Sequence, residues 1–102
     1  MSGLPRIDFK ALNEAVLPDL LILLERWLPD GEQQGAEWIA LNPRRDDCNP
    51  GSFKVNLRSG RWADFATGDR GSDVISLAAF LFNISQIKAA RQLQEMLGVY
   101  DV

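Results

Sequence analysis

The chain has 102 residues, a net charge of −3, one cysteine and no histidine. A chain of that length is expected to form one domain with one core, residues 1–102, and its apolar share of 46% and charged share of 25% are those of an ordinary soluble globular protein. With Cys48 alone and no histidine, an intramolecular disulfide, a Cys/His zinc site and Ser-His-Asp or Cys-His nucleophilic catalysis are all excluded. This cysteine usage suits a reducing cytoplasm. Residues 1–10 carry no apolar run of a secretory signal, and the most apolar window, residues 20–24, falls far short of the roughly 20 residues that span a bilayer. A cytoplasmic protein with no membrane partner is the expectation.

In chain order, Asp8 is a candidate N-cap for a short helix to Val16, with Phe9, Leu12 and Val16 at helical spacing. Pro18 suits the first turn of a second helix, where its missing N–H costs nothing. Leu20, Leu21, Leu23, Leu24, Trp27 and Leu28 form its wide apolar stripe, and Pro29-Asp30-Gly31 ends it. Residues 32–36 read as a polar loop. Residues 37–41 are a short strand. From Phe53 to Leu57 the chain alternates: Phe53, Val55 and Leu57 face one side, Lys54, Asn56 and Arg58 the other. Ser59-Gly60 is a turn, and residues 61–66 return as the partner strand. Residues 67–71 are a loop whose two glycines can take positive φ. Ser72 or Asp73 caps a helix to Phe82, apolar at Val74, Ile75, Leu77, Ala78, Leu81 and Phe82. Ser85 caps a last helix to Leu97, with Ile87, Ala90, Leu93, Met96 and Leu97 as its apolar face and Gly98 at C′. The fold expected is α+β: a small three-stranded antiparallel sheet (37–66) flanked by an N-terminal helical part (8–28) and a C-terminal helical hairpin (72–98).

Four short motifs then stand in one order: Asn42-Pro43-Arg44-Arg45, Pro50-Gly51-Ser52-Phe53, Asp64-Phe65-Ala66-Thr67 and Gly71-Ser72-Asp73-Val74-Ile75. This order resembles the zinc-ribbon domain of bacterial primases, with its first knuckle, its step into a strand, its second knuckle and its closing helix. The resemblance places the four metal-ligand positions at Asn42, Arg45, Asp64 and Thr67, none of which supplies a thiolate or imidazole. The wording is also similar to metal-free N-terminal modules of phage and plasmid primase-helicase proteins, over roughly residues 8–98. It implies a zinc-ribbon-like fold without zinc, held by packing of Trp38, Phe53, Trp62 and Phe65 against Leu77, Phe80, Leu81 and the leucine-rich helix. An Arg45–Asp64 ion pair at the former ligand positions is a further expectation.

Charge is unevenly spread. Residues 1–41 sum to −4, residues 42–71 to +2 and the remainder to −1. Arg44, Arg45, Lys54, Arg58, Arg61 and Arg70 are therefore the candidate phosphate contacts, with Trp62 or Phe65 as a base-stacking surface. Against this, charges on a hairpin face commonly serve solubility, and tryptophans are more often core than platform. Gly68-Asp69-Arg70-Gly71 precedes a helix, a place for a phosphate, but without the Gly-Lys-Ser/Thr ending of a P-loop. Asp46, Asp47, Asp64, Asp69 and Asp73 are better explained by turns and caps than by Mg²⁺. No cofactor and no catalytic residue is expected. The resemblance implies a non-catalytic, nucleic-acid-associated module of a mobile-element replication system, with single-stranded DNA and a replication helicase or primase as partners. A stand-alone interaction or inhibitory protein and the N-terminal part of a longer primase-helicase enzyme are the alternatives.

Overall fold

The computed structural model of the chain describes residues 7–42 and 52–98. Asp8 caps helix α1 (Phe9–Val16) as expected, its carboxylate accepting the Ala11 N–H at 3.0 Å and satisfying a donor that a helix start leaves unpaired. Pro18 does not open the second helix directly. It lies in a single 3-10 turn (Leu17–Asp19) joining α1 to α2 (Leu20–Trp27), a short connector in which a proline removes no helical hydrogen bond. Leu20, Leu23, Leu24 and Leu28 are buried, but Leu21 is 36% exposed. At about 3.6 residues per turn it falls on the flank of the stripe.

Among the described residues the sheet has five antiparallel strands in the order β1-β2-β3-β4-β5, rather than three. The expected three are β2 (Glu37–Ala40), β3 (Phe53–Asn56) and β4 (Trp62–Asp64). Added to them are β1 (Glu32–Gln34), within the expected polar loop, and β5 (Arg70–Gly71), within the expected glycine loop. Both are edge strands held by backbone pairing, and all of β1 is exposed. Neither buries an apolar face, so neither shows the alternation by which a strand is recognised. The β1–β2 hairpin turns on Gly35 and Ala36, with Gly35 at φ 62°, the first central position that a type II′ turn reserves for glycine.

After the sheet, Asp73 and not Ser72 caps α3 (Val74–Phe82), in a reciprocal box with Ser76. Ser85 caps α4 (Gln86–Leu97) through the Lys88 N–H, and Gly98 ends it at φ 70°. One core runs from Leu12 on α1 to Leu93 on α4, drawing on the four α-helices and on β2, β3 and β4. Its centre is a stack of rings between sheet and helix. Phe53 lies 5.8 Å from Trp62 and 6.1 Å from Phe80, and Trp62 lies 4.8 Å from Phe80. The indole N–H groups find partners, as buried tryptophans require: Trp62 donates to the Ser76 hydroxyl and Trp38 to the Leu28 carbonyl.

Four further residues expected inside are outside. Phe65 is 72% exposed, Ile87 52%, Phe82 (the last residue of α3) 49% and Met96 45%. Phe65 follows the inward-facing Asp64 and so points to the opposite side of the sheet. On α4 the narrow face made by Ala89, Ala90 and Leu93 takes the contact with the core, leaving Ile87 and Met96 on its margins. Leu77→Ala is therefore expected to cost about 2–5 kcal/mol, whereas Phe65→Ala is expected to stay within about 0.5 kcal/mol of the parent. Urea unfolding of the two variants checks both values, and a Phe65→Ala loss as large as that of Leu77→Ala would contradict the orientation of β4.

Candidate nucleic-acid interface

Register decides what the outer face of the sheet presents. Ile39, Lys54, Ala63 and Arg70 stand opposite one another across β2, β3, β4 and β5. Along β4, Ala63 is preceded by Arg61 at two residues' distance and followed by Phe65. The small Ala63 side chain is thus surrounded by Lys54, Arg70, Arg61 and Phe65. The result is a hollow of about 310 Å³, lined also by Glu37 and Asn56. Lys54 Nζ lies 5.6 Å from the centre of the Phe65 ring, within the range of a cation–π contact. The aromatic ring with its cation and the two arginines make a surface suited to a phosphodiester with an unstacked base, while the Glu37 carboxylate in the same lining works against an anion.

The candidate residues divide accordingly. Lys54, Arg61 and Arg70 are brought together. Arg58 is exposed in the β3–β4 connection and is not part of the lining; there the Asn56 carboxamide oxygen accepts the Arg58 and Ser59 N–H groups at 2.8 and 3.0 Å. Trp62 touches the hollow but is only 5% exposed, so its ring, stacked on Phe53 and packed at a tilt against Phe80, is buried too deeply to serve as a base platform. Phe65 is the exposed aromatic. Arg44 and Arg45 lie outside the described residues, as does the expected Arg45–Asp64 pair.

Sequence reading missed the residues that hold this face in place. Asn13 on α1 donates to the Ser59 carbonyl at 3.2 Å and accepts the Val74 N–H at 2.9 Å, tying the β3–β4 connection to the start of α3. Gly71 leaves room that no side chain could share. A Cβ there would lie 2.3 Å from both Trp62 Nε1 and Ser76 Oγ, while of the two loop glycines only Gly68 takes a positive φ, 86°. Where the resemblance set metal ligands, Asn42 Nδ2 donates to Asp64 Oδ2 at 2.8 Å, with both residues buried.

No family model matches the chain, and no curated protein matches it. Among solved structures it is similar to the crystal structure of the Aquifex aeolicus primase, zinc-binding and RNA polymerase domains. The TM-score is 0.74 at 24% sequence identity, over 92% of this chain and 22% of that one. The fold is primase-like. The chain spans less than a quarter of that structure's length.

The zinc in that protein's name finds no matching donors here. Asn42 and Asp64 are an amide and a carboxylate bonded to each other, Thr67 bonds Asp69 at 2.8 Å, and the chain has one cysteine and no histidine. Among the described residues no three His, Cys, Asp or Glu side chains cluster as a metal site. These residues do not fit a structural zinc ion.

Gly71→Ala is expected to push the Trp62 indole off Ser76, costing about 1–3 kcal/mol as overpacking does and shifting tryptophan emission to the red. Unchanged stability and emission would show that the approach of Gly71 to Trp62 is not tight.

Proposed function

We propose that the chain is a non-catalytic module of a mobile-element DNA replication system and holds single-stranded DNA on the outer face of its sheet. The observation that carries this reading is the hollow over Ala63, where Lys54, Arg61 and Arg70 meet the exposed Phe65 ring. A base that is not stacked in a duplex can lie on Phe65 while the backbone passes the three cations. Such contacts position a strand without reading its sequence. The primase-like fold supports a replication setting, with a replicative helicase or primase as protein partner. The chain carries an overall charge of −3, so binding is weak on its own and strengthens when the module is tethered to that partner. Cytoplasmic localisation and the absence of a resident metal or cofactor belong to the same reading.

A protein-interaction role is the second reading, favoured by a groove of about 210 Å³ between α2, α3 and α4, walled by Trp27, Phe82 and Met96 over Ala78 and Ala89. A third is that the chain forms the N-terminal part of a longer primase-helicase, as the size of the Aquifex structure suggests.

Anisotropy of a labelled single-stranded oligonucleotide across a salt series tests the leading reading. Three phosphate contacts give log affinity against log salt a slope of about −2, at roughly 0.7 per contact for a single strand. Lys54→Glu with Arg70→Glu is expected to abolish binding with the fold intact, and Arg58→Glu to weaken it much less. Absence of binding at low salt, or a loss for Arg58→Glu as large as that of the double variant, would overturn the placement on this face.

A further inference from the structure

Asn42 and Asp64 are the polar side chains buried to the same depth as the apolar core, at 2% and 1% exposure among the described residues. They come from strands that are not neighbours. Asp64 ends β4, and Asn42 follows β2 by two residues on the same inward side as Ala40; β3 lies between them. Across the sheet, Ala40, Phe53 and Asp64 form one inward-facing row. The Asn42–Asp64 bond therefore spans the end of β3 and joins the second strand to the fourth.

Asp64 also organises the chain that follows it. Its Oδ1 accepts the Ala66 N–H at 2.8 Å, its carbonyl accepts the Gly68 N–H at 2.8 Å, and its own N–H donates to the Asp69 carbonyl at 2.7 Å. Thr67 completes the loop, its hydroxyl donating to the Asp69 carboxylate and accepting the Asp69 N–H. In this way the loop bearing Phe65 is built around one buried carboxylate whose other oxygen is held by Asn42. Burial of an ionisable side chain is tolerated when its oxygens are satisfied in this way.

We infer that the Asn42–Asp64 pair is a metal-free clasp that closes this end of the sheet and shapes the Phe65 loop, in the place where the zinc-ribbon resemblance sets a metal ion. The donor set is the reason. An amide bonded to a carboxylate leaves neither group as an open ligand, and the third described position, Thr67, is an exposed hydroxyl engaged with Asp69. The inference does not rest on nucleic-acid binding.

Two measurements on the full chain test it. Elemental analysis and thermal melts with and without chelator are expected to find no stoichiometric zinc and one melting temperature. One zinc per chain, with a melt lowered by chelation, would overturn it. A double-mutant cycle then tests the pair: Asn42→Ala and Asp64→Ala are each expected to lower the folding equilibrium constant about ten-fold or more, and the double variant to lose clearly less than the product of the two. Asp69→Ala, in the exposed part of the loop, is the control and is expected to lose less. If Asp64→Ala does not fold, Asp64→Asn is the second variant: its one oxygen remains the acceptor for the Ala66 N–H, and its NH2 meets Asn42 once the Asn42 carboxamide turns to present its oxygen, so it is expected to fold and to hold its loop. Additive losses, an Asn42→Ala variant as stable as the parent, or an Asp64→Asn variant that also fails to fold would contradict the clasp.

Discussion

The stack of Phe53, Trp62 and Phe80 fixes which side of the sheet meets the helices, and the placement of the other residues depends on that choice. Ring contacts of this kind add roughly 0.5–1.5 kcal/mol each beyond their area burial, and the indole N–H bonded to Ser76 sets the angle at which Trp62 enters. Side chains alternate along a strand, so fixing Phe53 and Trp62 inward sends Lys54, Ala63 and Phe65 outward without further instruction. A slip of one residue would exchange the two sets. The cationic hollow is in this sense a by-product of the core.

The same row of the inner face carries the clasp. In zinc-finger peptides a structural zinc contributes about 10 kcal/mol or more of apparent folding free energy, whereas a hydrogen bond to a charged group contributes about 1.5–3 kcal/mol. The Asn42–Asp64 pair alone cannot replace a metal. It acts beside a core that already includes the rings of Phe53, Trp62 and Phe80, the anchored Trp38 and the leucines of α2. Its particular contribution is direction: it joins β2 to β4 and shapes the loop after Asp64, which apolar contacts would not orient.

Much of this was legible in the sequence. The caps at Asp8 and Ser85, the alternation from Phe53 to Asn56 and the Gly98 stop each state a local rule that the fold obeys. Both edge strands were hidden because Glu32-Gln33-Gln34 and Arg70-Gly71 bury nothing, and pairing through the backbone leaves no trace in residue type. Phe65 was misplaced because an aromatic residue near a strand reads as core unless the parity of the strand is known. Of the site, the cations could be named, but their grouping could not. Arg58 and Arg61 are three residues apart, yet only Arg61 reaches the hollow, and the deciding residue, Ala63, carries no chemical signal of its own. Asn13 and Asn42 act across long stretches of chain, at 61 and 22 residues from Val74 and Asp64, and such polar ties become visible only when the fold is.

The most direct test of the division between the two faces is amide chemical-shift mapping of the whole chain as a single-stranded oligonucleotide is added at low salt. Shifts concentrated at Lys54, Ala63, Phe65 and Arg70, with Trp38, Val55 and the α4 amides unmoved, are the result predicted. Shifts confined to the groove at Trp27, Phe82 and Met96, or spread evenly over the molecule, would contradict it.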